Sequence, residues 1–243
     1  MLLQIENLNK AFGGIHAVQN CSFTVEQGKI TALIGPNGAG KTTAFNLING
    51  VIIADSGRII FDGQEIQDLP THRITKRGIT RTFQISRNLQ DMTVLENMVV
   101  SSPVDGWRGL FQKSILPHEL ERAKELLDFV GLTHLTYTQT RNLSYGQRKL
   151  LDFASALMAK PKLIMLDEPA GGVNPALLED IIAHIRVLNE QGMTFLIVEH
   201  NMDLVMNISD EVVVMAYGEI LATGTPDEIQ NNPTVLEAYL GVV

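Results

Sequence analysis

"GPNGAGKTT", residues 35–43, is the stretch whose reading decides the fold. It satisfies G-x-x-x-x-G-K-[ST], the pattern of a loop whose backbone N–H groups cradle phosphates while a lysine reaches toward the terminal ones. The pattern by itself leaves kinases, GTPases and many ATPases open, so its surroundings matter. "KITALIG" before it reads as a strand, and "KTTAFNLING" after it reads as a helix closed by Gly50. Strand, glycine turn and helix form one unit that aims N–H groups and a helix N-terminus at an anion. In that unit Lys41 is expected at the β- and γ-phosphates and Thr42 at Mg2+, while Gly38 and Gly40 let the backbone come close. Gly35, Asn37, Ala39 and Thr43 complete the expected nucleotide contacts.

The rest of the chain sets the limits within which that loop works. With 243 residues, 45% of them hydrophobic and 19% charged, it can bury one large core or two modest ones. No apolar run approaches the roughly 18 residues of a membrane span, and "MLLQIENLNK" carries an acid where a leader would carry positive charge, so neither is expected. Cys21 has no second cysteine to pair with, which fits a reducing compartment and a small buried apolar role. A formal net charge of −8 argues against nucleic acid as the main partner. Arg73, Lys76, Arg77, Arg81 and Arg87 gather locally and read as a solvated face or a subunit contact.

Strand and helix signals alternate along the chain. "LLQIENL", "GRIIFDG" and "GITRTFQ" read as strands. "TVLENMVV" opens with a Thr93/Glu96 capping box, "PHELERAKELLDFVG" is an amphipathic helix, and a helical period runs from Ser144 to about Lys160. "KLIMLDEP" and "TFLIVEH" are near-continuous apolar runs of the kind buried on both faces, with a helix between them that starts at Asn174 and Pro175. "EVVVMAY", "EILATG" and a Thr225/Glu228 capping box with a last helix close the chain. The pattern predicts an α/β fold with a mostly parallel sheet, formed by residues 1–84 and 161–243, into which a helical part, residues 85–160, is inserted.

Two further constellations carry chemistry. A carboxylate just past a buried strand can hold Mg2+ through water, which assigns Asp167 to the metal. Glu168 beside it is then placed to orient or deprotonate an attacking water. "LSYGQ", residues 143–147, makes a second anion site from a serine N-cap and a glycine in the first helical turn.

With a phosphate loop and an Asp-Glu strand end, "LSYGQ" resembles the signature of the ATP-binding cassette (ABC) family, usually LSGGQ, over nearly the whole chain. The resemblance implies a phosphate-loop ATPase fold with a RecA-like core, an N-terminal antiparallel part and the helical insertion. It also implies that Ser144, Gly146 and Gln147 of one subunit close over ATP held by another, so two subunits are needed for hydrolysis. Phe12 stands where the family stacks an aromatic on adenine, though an ordinary packed aromatic would look the same. Gln84 matches the glutamine that reaches Mg2+ and the attacking water, and His200 the histidine that meets the γ-phosphate.

Two departures stand out: Tyr145 in place of the first signature glycine, and Asn174 where many cassettes carry aspartate. Together with "RTFQISRNLQDMTVLENMVV" they resemble the branched-chain amino-acid importer ATPases. That subgroup implies a peripheral subunit on the cytoplasmic face of the cell membrane. Its partners would be transmembrane permease subunits, a second cassette of the same or a related chain, and indirectly a periplasmic or extracellular solute-binding protein. No nucleic-acid partner is expected. Urea or amide import and lipopolysaccharide export remain alternative cargoes, and a soluble cassette ATPase of DNA repair or translation would need a coiled-coil insertion or a second cassette. A phosphate-loop kinase would need an acceptor site and gives no reason for "LSYGQ".

Overall fold

The computed structural model describes residues 1–82, 88–102 and 116–240. The chain begins with β1 (Leu3–Phe12), β2 (Ile15–Val25) and β3 (Ile30–Ile34), then α1 (Lys41–Ile48), β4 (Ser56–Phe61), β5 (Gln64–Glu65), α2 (Thr71–Arg77) and β6 (Ile79–Arg81). Three helices follow, α3 (Val94–Val100), α4 (Pro117–Phe129) and α5 (Tyr145–Met158). The remainder alternates: β7 (Leu163–Asp167), α6 (Pro175–Glu190), β8 (Thr194–Val198), α7 (Met202–Ile208), β9 (Glu211–Ala216), β10 (Glu219–Gly224), α8 (Pro226–Gln230) and α9 (Pro233–Leu240).

These strands make two sheets. β2-β1-β4-β5 is antiparallel, and β10-β9-β3-β8-β7-β6 is parallel except for the edge strand β10. The expected class, an α/β fold with a mostly parallel core and an N-terminal antiparallel part, is what forms. β3, β7 and β8 are buried at every position, as expected of mostly apolar strands covered on both faces. Alternation along β7 shows the two coverings. Leu163 and Met165 join the core that α1 and the antiparallel sheet share, with Phe45, Leu47, Ile59 and Phe61. Ile164 and Leu166 point the other way, into the core built with α3 to α6.

Helix starts lie where the sequence marks them. Thr93 accepts from Glu96 N–H, Ser144 from Gln147 N–H and Thr225 from Glu228 N–H, each with the reciprocal bond of a capping box. Asn174 caps α6, with Pro175 as its first residue. The single last helix expected after Thr225 is two, because Pro233 starts α9 two residues after the C-cap of α8, and Asn232 Oδ1 accepts from Thr234 and Val235 N–H. Among the described residues no helix is long and apolar enough to cross a membrane.

Cys21 lies on β2 with no exposed surface, and burial pushes its thiol up to about 12. Since the thiolate is the reactive form, iodoacetamide at about pH 8 should leave the native chain unmodified and label Cys21 only after denaturation. Rapid labelling of the native chain would place this residue outside the core.

Candidate functional site

The phosphate loop leaves β3 and enters α1, and its shape is set by neighbours on both sides. A Cβ on Gly35 would run into the carbonyl of Met215 on β9, and one on Gly40 into the carbonyl of Ala17 on β2, so these two glycines are demanded by packing. Gly38, at φ +81°, has open space in front of it and is exposed with Asn37. Ala39 turns its methyl into the core, while its carbonyl accepts from Gly218 N–H at 3.0 Å. No side chain caps α1 and no acid lies in its first turn, so its N–H groups remain available to an anion. Lys41 Nζ donates to Gly35 O at 2.7 Å and Pro36 O at 3.1 Å, which draws the ammonium inside the loop. Burial pushes the Lys41 pKa down, and the Glu168 carboxylate facing it partly offsets that. Thr42 is exposed and Thr43 half-buried in the first turn of α1.

Sheet register brings the other groups to this loop. Leu33 pairs with Val198, and Val198 with Asp167, so β3, β8 and β7 end in one row. Glu168 follows that row directly, and Gly35 and His200 follow it one residue later, at the carboxyl edge where open α/β sheets hold ligands. Glu168 leaves β7 at φ +48°, a conformation that costs a non-glycine residue about 1–3 kcal/mol unless its surroundings impose it. Here they do: its N–H donates to Val198 O and its carbonyl accepts from Gly171 N–H, both at 2.9 Å. The turn sets Glu168 Oε1 3.8 Å from His200 Nδ1, and the histidine is exposed.

Asp167 is the buried carboxylate of the pair. Its Oδ2 accepts from Arg81 Nη2 at 2.6 Å, with both side chains 10% exposed or less. Arg81 also donates to Asn46 Oδ1 at 2.7 Å and lies 5.5 Å from the Phe45 ring, binding β6, α1 and the end of β7 together. This corrects the reading of Arg81 as part of a solvated basic face. Arg73, Lys76 and Arg77 are exposed as expected, and Arg87 lies outside the described residues. Magnesium takes oxygen donors and keeps several waters. The Thr42 hydroxyl and the Asp167 carboxylate fit that preference, and among the described residues no cluster of three His, Cys, Asp or Glu side chains offers a cage of its own.

Glu199 was missed in the sequence, where an acid ending a fully apolar strand was the available signal. Wholly buried, it accepts from Ala170 N–H at 2.8 Å through Oε1, and from His200 N–H at 2.8 Å and Asn201 N–H at 3.0 Å through Oε2. One carboxylate thus fastens the loop after Glu168 to the loop carrying His200.

The remaining expected residues lie apart. Phe12 is 48% exposed at the end of β1, with Lys10 Nζ 5.5 Å from its ring, so it is not an ordinary core aromatic. Ser144 caps α5, Gly146 lies against Leu177 of α6, and Gln147 Oε1 accepts from Ser144 N–H at 2.9 Å. Among the described residues no hydrogen bond or ion pair joins residues 144–147 to the phosphate loop. Gln84 lies outside the described residues.

Comparison with known proteins points to one family. The family model described as "ABC transporter" matches residues 18–171. One described as "Branched-chain amino acid ATP-binding cassette transporter" matches residues 219–243. The probable branched-chain amino acid transport ATP-binding protein LivG of Archaeoglobus fulgidus is 43% identical, over 99% of this chain and 95% of its own. The high-affinity branched-chain amino acid transport ATP-binding protein BraF of Pseudomonas aeruginosa is 41% identical, over 99% and 98%. Among solved structures, a nucleotide-free ATP-binding cassette from an ABC transporter superposes with a TM-score of 0.88 at 39% identity, covering 98% of both chains. An ATP-binding cassette in its ADP conformation does so with the same score and identity, covering 99% and 98%. The chain belongs to the ABC transporter family, as an ATP-binding and ATP-hydrolysing cassette. Within that family it falls with the branched-chain amino-acid cassettes, which its C-terminal match and full-length relatives both indicate.

Removing one member of a buried ion pair leaves the other charge uncompensated, at a cost of about 3–5 kcal/mol. Arg81→Ala should lower the unfolding free energy by about that amount in a urea titration. A loss under about 1 kcal/mol, typical of an exposed pair, would contradict the clamp described for Asp167.

Proposed function

We propose that this chain powers the uptake of branched-chain amino acids, pairing with a second cassette beneath transmembrane permease subunits on the cytoplasmic face of the membrane. A solute-binding protein outside the membrane would deliver the cargo to the permease. The observation that carries the proposal is the split site: Lys41, Glu168 and His200 converge on one sheet edge, whereas among the described residues no hydrogen bond or ion pair joins Ser144, Gly146 or Gln147 to them. A second cassette supplies the missing anion donors.

In this reading Phe12 stacks on adenine, and residues 35–43 wrap the phosphates, with Lys41 neutralising the terminal ones. Thr42, Asp167 through water and Gln84 would hold Mg2+, which when bound would supply charge neutralisation to the phosphates. Glu168 accepts a proton from the water that attacks the γ-phosphorus, as the bond to the ADP oxygen breaks and inorganic phosphate leaves. His200 holds the γ-phosphate oxygens, and Ser144 of the opposing cassette completes the enclosure. Residues 1–84 and 161–243 would form the nucleotide core and residues 85–160 the helical subdomain, with closure passed to the permease through the surface around residues 84–104. Phosphoryl transfer needs positioning and charge stabilisation above all, which closure provides.

Glu168→Gln, which keeps the shape and loses the base, should elute as a dimer from a sizing column with ATP and Mg2+ and hydrolyse at least about 100-fold more slowly than the native chain. A variant that stays monomeric at saturating ATP and turns over at the native rate would refute the base role. Lys41→Ala should abolish tight ATP binding in a fluorescent-nucleotide titration, and undiminished binding would remove the phosphate-loop assignment.

A further inference from the structure

Tyr145, one of the two departures from the usual cassette sequence, meets the loop that leads to the other, Asn174. The Tyr145 hydroxyl donates to Gly171 O at 2.9 Å. Gly171 N–H in turn donates to Glu168 O, also at 2.9 Å. Two successive hydrogen bonds therefore run from the first residue of α5 to the backbone of the carboxylate that faces the phosphate loop.

Packing around this link leaves little freedom. Gly172, at φ +70°, faces the phenol so closely that a Cβ there would lie 3.2 Å from the hydroxyl and 3.4 Å from the ring. A Cβ at 172 would press on the phenol, which would have to give by a few tenths of an ångström. The ring is otherwise 41% exposed, with Lys149 Nζ 5.7 Å from its centroid, so core burial does not fix it. From the opposite side Glu199 holds Ala170 N–H. The turn after Glu168 is thus gripped at adjacent residues, its amide by a buried carboxylate and its carbonyl by a phenol.

We infer that Tyr145 is a positioning residue for Glu168. Its hydroxyl, acting through Gly171, holds the left-handed backbone at residue 168 that aims the carboxylate across the site toward His200. The inference rests on the cassette reading above and extends it. Ser144, next to Tyr145, is the residue that would meet the ATP of the opposing cassette. A phosphate engaged by Ser144 at one site and the base presented at the other are then connected through one rigid helix turn. A glycine at position 145 would have no atom to make that link.

Tyr145→Phe in the full chain tests it, because only one oxygen is removed. ATP binding and Tm should stay at native values, while kcat falls about fivefold, the rate equivalent of one neutral hydrogen bond. In a Glu168→Gln background, single-turnover hydrolysis should be no slower with Tyr145→Phe added than without it, since the hydroxyl acts only through that carboxylate. An unchanged kcat in Tyr145→Phe overturns the inference. So does an equal slowing in both backgrounds accompanied by a lower Tm, the signature of a general structural role. Failure of the underlying reading looks different: the native chain binds no ATP, or Glu168→Gln alone hydrolyses at the native rate.

Discussion

Parallel pairing of three fully buried strands governs everything else in this molecule. Leu33, Val198 and Asp167 share one row across β3, β8 and β7. That register decides that the phosphate loop, Glu168 and His200 leave the sheet side by side. Strand side chains alternate between faces, so a slip of one residue would exchange the two cores these strands separate. Met165 would leave the layer it shares with Phe45, and Ile164 would leave α3 to α6. The hydrophobic effect that fixes the register thereby also fixes the spacing of the chemical groups.

Beyond the row, polar side chains with buried heads refine the site. Arg81 joins Asp167 to Asn46 of α1, which ties the end of β7 to the helix following the phosphate loop. Glu199 does the same for the turns after β7 and β8. Charge-assisted bonds of this kind are strong because the alternative is an unpaired charge out of contact with water. The site is held firmly where these buried carboxylates fasten its turns.

The sequence was most legible where one physical signal dominated. Near-continuous apolar runs identified β7 and β8, β3 was legible as the strand running into the phosphate loop, and side-chain caps identified the starts of α3, α5, α6 and α8. β2 escaped because "IHAVQNCSFTV" mixes polar and apolar residues on a strand exposed along part of its length. The short helices α2 and α7, seven residues each, are too brief for periodicity to show. Arg81 groups with its basic neighbours in the sequence because linear proximity hides direction. On β6 it faces α1 and the end of β7, while Arg73, Lys76 and Arg77 sit on α2 in solvent. Glu199 and the Tyr145 link depend on turns from distant parts of the chain meeting, and no local pattern reports that.

The central claim is that this cassette binds ATP on its phosphate loop and needs a second cassette to enclose it. A crystal structure of the Glu168→Gln chain with ATP and Mg2+ tests it most directly. The account predicts two chains around two nucleotides, each γ-phosphate within hydrogen-bond distance of Lys41 from one chain and Ser144 from the other. ATP bound elsewhere than on residues 35–43, or ATP fully enclosed by a single chain with Ser144 turned to solvent, would contradict it.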